Sequence, residues 1–164
     1  MSRTYSIREA DGSDAPAISR LLRRVSLRYI APGQPQPAVQ AMLRHMGVQS
    51  VRQRLTAPNY RFHVAVAGPA LLGVVAVRDD AHLHHLFVST RYQRRGVARA
   101  LWRKALEACM AESGPTRITV NASRHAQPAY RRLGFVDDPR PRRVPPGIEV
   151  VPMVYLCGKD GKSA

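Results

Sequence analysis

A chain of 164 residues with 45% hydrophobic side chains suits one domain, and at this length folding buries roughly 70% of the surface the unfolded chain exposes. No apolar run approaches the roughly 20 residues that span a bilayer, the first residues carry no leader-like stretch, and two distant cysteines form neither a disulfide framework nor a metal spacing. The expectation is a reduced, cytoplasmic protein whose net charge of +15 either attracts anions of every kind or reflects the arginine bias of a GC-rich coding sequence.

Thr4 to Arg8 alternates as a short first strand. Asp14 or Ser13 is placed to cap a helix with Pro16 in its first turn, and Ile18, Leu21, Leu22, Val25 and Tyr29 follow as its apolar stripe. Prolines and a glycine between Ala31 and Pro37 force a loop. A second helical region carries Val39, Met42, Leu43 and Met46, breaks near Gly47, and resumes behind a cap at Ser50 through Val51 and Leu55. Phe62–Val66 and Leu71–Val77 read as a hairpin turning at Gly68-Pro69. His82 to Val88 is the next strand, on which alternation sets His82 and His84 on one face and His85 on the other.

A basic turn, Gln93-Arg94-Arg95-Gly96-Val97-Ala98, comes next and opens a helix burying Val97, Leu101, Trp102, Ala105, Leu106 and Cys109 up to Gly114-Pro115. Free N–H groups and the positive dipole end at such a helix start receive phosphate, and Arg94, Arg95 and Arg99 add charged donors. Thr116–Val120 is a strand, and Ala126, Ala129, Tyr130 and Leu133 mark a short helix stopped by Gly134. Phe135-Val136 opens a brief strand, Pro139–Gly147 loops, Val150–Leu156 is the last strand, and Asp160–Ala164 is a tail. The pattern predicts one mixed α/β or α+β domain over residues 4–158, with helices on both faces of its sheet, and residues 159–164 outside it.

The turn lacks Gly-x-Gly-x-x-Gly and any following Gly-Lys-Ser/Thr. It does match Gln/Arg-x-x-Gly-x-Gly/Ala, with Gln93, Gly96 and Ala98 in the fixed places, after a strand ending Leu86-Phe87-Val88. One strand later comes Ala129-Tyr130-Arg131-Arg132-Leu133-Gly134-Phe135. This ensemble resembles the GNAT family of acetyl-CoA-dependent N-acetyltransferases, most closely from His82 to Phe135. The resemblance implies a mostly antiparallel sheet of six to seven strands, and acetyl-CoA as co-substrate without a metal. It also implies direct acetyl transfer, through a ternary complex, to a primary amine on a small molecule or peptide.

Carried over by position, Gln93, Arg94, Arg95, Gly96, Val97, Ala98 and Arg99 receive the CoA pyrophosphate. Backbone groups of Leu86, Phe87 and Val88 hold the acyl arm, where an ordinary core strand is an equally compatible role. Tyr130 is the general acid for the departing thiolate, against the alternative of a packed tyrosine bonded to backbone. Asn121 and Ser123 are candidates for touching the cofactor arm, although Ser123 also suits a helix cap. His82 stands where some relatives have a glutamate base, and a solvated or packed histidine competes with that role. Adjacent strand residues diverge, which argues against His82, His84 and His85 as metal ligands. An acyl-CoA-binding module with little turnover is the alternative function, sparse aromatics argue against a nucleic-acid partner, and a homodimer is a habit of the family. No recognisable signal in the chain specifies the acceptor.

Overall fold

The computed structural model describes residues 4–140, 144 and 146–158. The chain enters its sheet through an edge strand, β1 (Ser6–Glu9), and crosses to α1 (Ala15–Tyr29) by a turn of 3-10 helix. Asp14 does occupy the cap position of α1, but its carboxylate does not cap it. It grips Arg8 with two bonds of 2.8 and 2.9 Å and accepts the Asp11 N–H at 2.9 Å. The bidentate arginine is the better partner, because a charged fork outweighs one neutral N–H. Pro16 sits in the first turn as expected, and Ile18, Leu21, Leu22 and Val25 are buried.

Two further helices follow, α2 (Gln36–His45) and α3 (Val48–Thr56). Gly47 caps α3, whereas the expected cap Ser50 lies inside the helix and donates to the Arg44 carbonyl at 3.3 Å. The end of α2 and the residue beyond it are tied down by side chains: Ser19 Oγ donates to Met46 O at 2.6 Å, Arg23 to Leu43 O at 2.9 Å and Arg54 to His45 O at 2.6 Å. Carbonyls at a helix end lack intrahelical partners, so these donors complete the helix.

The rest of the sheet comprises β2 (Tyr60–Ala67), β3 (Ala70–Arg78), β4 (His82–Val88), β5 (Arg117–Ala122), β6 (Val136–Asp137) and β7 (Val151–Leu156). Helix α4 (Val97–Glu112) joins β4 to β5, and α5 (Gln127–Arg132) follows β5. The seven strands run in the order β1-β2-β3-β4-β5-β7-β6. Every pairing is antiparallel except β4 with β5, which are parallel and meet at only two positions, His82 with Thr119 and Leu83 with Val120. Beyond Leu83 the two strands part, leaving a wedge between their C-terminal halves.

Each face of the sheet carries its own core. On one face Leu83, Val88, Val97, Leu101, Trp102, Tyr130, Phe135 and Tyr155 pack together beneath α4. On the other, Ile18, Leu22, Val51, Phe62, Val64 and Val74 pack beneath α1 and α3. Gly73 lets α4 lie close: a Cβ there would stand 2.9 Å from both Leu101 Cδ1 and the Phe87 carbonyl.

Strand β4 breaks the expected alternation. Ala76 pairs with His85 and Val77 with Leu83, so His84 is an extra residue in the ladder. Such a bulge sends two neighbouring side chains to the same side. His84 and His85 therefore lie together, ring centroids 4.3 Å apart, instead of on opposite faces. His85 packs on Phe62 and Phe87, within the core under α1 and α3.

Candidate active site

The basic turn is built by its backbone. Ser89 N–H donates to Leu72 O at 2.8 Å, a 3-10 turn spans Thr90–Tyr92, and the Gln93 amide donates to the Val88 carbonyl at 3.0 Å. The Gln93 side chain thus ties the turn to the end of β4. Arg94 and Gly96 then take positive φ values of 60° and 79°. Successive N–H groups in such a turn converge, and Val97, Ala98 and Arg99 add the free N–H groups of a first helical turn. No side chain caps α4, and no acidic residue lies in its first turn. Space around Gly96 is open, with no protein atom within 4 Å of where a Cβ would stand. The glycine therefore answers to its φ and to whatever approaches the turn, not to packing. Arg94, Arg95 and Arg99 are exposed around it, with Arg95 over the Tyr92 ring at 6.0 Å. This cradle fits a phosphorylated ligand.

The wedge leads from the cradle into the sheet. Ladder bonds in an antiparallel pair recur at every second residue. With Ser89 bonded to β3, the polar groups of Phe87 also face β3, and those of Leu86 and Val88 face the wedge. Of the three residues expected to hold the acyl arm by backbone, two present that backbone to the gap. Asn121, on the opposite wall, has a buried Oδ1 without a partner. A buried acceptor without a partner on β5 fits a ligand amide. Ser123 Oγ accepts the Ala126 N–H at 3.2 Å, shaping the turn into α5, and the same residue lines a cavity of about 340 Å³ with Tyr29, Gln34, His125 and Glu149. Tyr29 stacks on His125 at 4.3 Å, so the end of α1 meets the β5–α5 turn across the wedge.

Tyr130 is 8% exposed, its ring edge-on to Phe135 at 5.4 Å. Burial raises its pKa, which keeps the phenol protonated and able to donate. His82 Nδ1 lies 2.8 Å from Thr119 Oγ1, which is itself 3.3 Å from the Ala81 carbonyl. With the Thr119 proton on that carbonyl, His82 Nδ1–H donates to Thr119 and Nε2 keeps the lone pair. His84 and His85 are weak bases. Burial first and Arg54 next hold His84 down to about 3, and burial and His84 hold His85 well below its ordinary value. Cys109 is pushed up to about 12 by burial and is an inert thiol. Among the described residues no group of three His, Cys, Asp or Glu is arranged to hold a metal, and no helix is long and apolar enough to cross a membrane.

Tyr29, Thr119 and His125 are additions to the sequence-expected site, and so are Arg54, His45 and Tyr60 around the bulge. Arg54 had one readable signal: it falls three residues after Val51, on the apolar stripe of its helix. The loop expected over Pro139–Gly147 lies partly outside the described residues, and the tail Asp160–Ala164 entirely so.

The sequence model of the acetyltransferase (GNAT) domain matches residues 30–157. No curated protein matches the chain. Among solved structures, the PaiA N-acetyltransferase of Thermoplasma acidophilum in complex with coenzyme A superposes with a TM-score of 0.78 at 14% identity, covering 93% of this chain and 99% of that one. A GCN5-related N-acetyltransferase of Rhodopseudomonas palustris gives 0.74 at 19% identity, over 93% and 96% of the two chains. N-acetylglutamate synthase of Neisseria gonorrhoeae, complexed with coenzyme A and N-acetyl-glutamate, gives 0.71 at 17% identity over 97% of this chain and 36% of its own. The mostly antiparallel seven-stranded sheet agrees with that match, and this chain belongs to the GNAT acetyltransferase family.

Proposed function

We propose that the protein transfers an acetyl group from acetyl-CoA directly to a primary amine held with it in a ternary complex. The observation that carries this reading is the wedge: a parallel seam of two pairs opening onto a phosphate cradle at the start of α4. In this reading the turn from Arg94 to Arg99 receives the pyrophosphate, and Leu86 and Val88 pair with the arm and polarise the thioester carbonyl through backbone N–H groups. The amine attacks the carbonyl carbon, a C–N bond forms, and collapse of the tetrahedral adduct breaks the C–S bond. His82 Nε2 takes the amine proton and Tyr130 supplies one to the departing sulfur. Cys109 and Cys157, both with raised pKa, are not nucleophiles at neutral pH, which favours direct attack over an acyl-enzyme.

Thioester consumption with a panel of amines tests the reading, beside protection by CoA against thermal unfolding. Turnover with any amine supports it. Protection without turnover on any of them makes the chain an acyl-CoA-binding module, and loss of both removes the CoA site.

A further inference from the structure

Arg54 stands out among the arginines of the described residues. Arg61 and Arg117, both more exposed, pair with Asp80 and Asp138. Arg54 is only 8% exposed, yet no carboxylate reaches it among the described residues. One of its terminal nitrogens donates to the His45 carbonyl, and its Nε is buried with no partner. The groups that sense its charge are His45, Tyr60, His84 and His85, and none of them is a carboxylate. The His84 ring lies 5.3 Å from Tyr60 and 6.1 Å from His45, and its Nε2 is also buried without a partner. A buried cation with no counterion is costly, and the orphaned Arg54 Nε–H calls for a ligand that accepts; His84 Nε2 can join it as a donor in the tautomer with its proton there. The place matters: His84 is the bulge residue immediately beyond Leu83, where β4 and β5 part.

We propose that the acceptor amine also carries a carboxylate, held by Arg54 Nε and by His84 Nε2–H at the narrow end of the wedge. The proposal rests on the acetyl-transfer reading and names its substrate class. The carboxylate supplies the missing counterion and leaves the amine free to face the thioester. A merely structural Arg54, tying down the end of α2, predicts no preference for acids.

The test compares matched amines, each α- or ω-amino acid against its carboxamide, by kcat/KM in thioester consumption. The acid is preferred by about 10-fold or more, and in Arg54→Met the preference shrinks to about 3-fold or less. Equal rates for every pair, or a preference that survives Arg54→Met, overturn the proposal, while turnover itself leaves acetyl transfer standing. If Arg54→Met fails to fold, or if no amine is turned over, the wild-type protein decides by NMR at constant ionic strength. The Arg54 Nε–H resonance moves with acetate and not with acetamide if the site exists, and moves with neither if it does not.

Discussion

The two faces of the sheet are filled with different chemistries. Under α4 the core is aliphatic and aromatic, with Trp102 against Phe135 and Tyr155 at 5.0 and 5.3 Å, and its polar business is done by backbone at the Gln93–Ala98 turn. Under α1 and α3 the apolar core is edged by His45, His84, His85 and Arg54, three of them with buried atoms that lack partners. A backbone cradle suited to a phosphate group needs few particular side chains. Side chains around a bulge can be exchanged one at a time. The contrast teaches that, in the proposed reading, backbone on the α4 face serves the cofactor while side chains on the other face serve the acceptor.

Four measurements break or sharpen that contrast. Tyr130→Phe keeps the ring and removes the proton; it lowers kcat by roughly 10²-fold or more, with KM for acetyl-CoA within a few-fold in steady-state assays. An unchanged kcat would show the tyrosine to be packing alone. Replacing Arg94 and Arg95 together with alanine weakens CoA binding by about 10- to 100-fold in calorimetric titration, and leaves binding of a phosphate-free pantetheine fragment nearly unaltered. Equal losses for both ligands would move the phosphate site elsewhere. Gly73→Ala drives a methyl against Leu101 and the Phe87 carbonyl and destabilises by about 1–3 kcal/mol in urea unfolding.

The smallest effect belongs to the histidine side. Unfolded, His84 takes up a proton near 6.5, whereas folded it does so only near 3. Its contribution to stability is therefore complete above the unfolded value and lost as pH falls from there toward the folded one, amounting to roughly 1–2 kcal/mol by pH 5. The urea midpoint followed between neutral pH and pH 5 shows this slope, and His84→Phe makes it shallower. An unaltered slope would assign the acid sensitivity to other groups.

Most of the architecture was legible because apolar spacing reports it. The stripes of α1 and α4, the Gly68-Pro69 hairpin and the helix stop at Gly134 stand where periodicity sets them. The turn was legible because Gly96 needs a positive φ and the helix after it carries a regular apolar stripe. The bulge was not, since a strand written His-Leu-His-His-Leu reads as plain alternation until β3 pairs with it. Nor was the role of Asp14, whose carboxylate suits a cap in isolation and is claimed by Arg8 only once β1 is in place. Arg54 was hidden by abundance: among so many arginines its single local mark, a place on the apolar stripe of α3 three residues after Val51, is easily passed over.

The seam of two residue pairs between β4 and β5 has a consequence for cooperativity. It joins a block of β1 to β4 to a block of β5, β7 and β6 by the shortest main-chain contact between long strands in the sheet. Helix α4 leans chiefly on β2, β3 and β4, so it reinforces the first block. Amides of β5 and β7 should then exchange with deuterium sooner than those of β2 and β3, as the less protected unit. If CoA lodges in the wedge as proposed, it acts as a removable strand between the walls, and hydrogen exchange measured with and without CoA should show the two blocks merging into one.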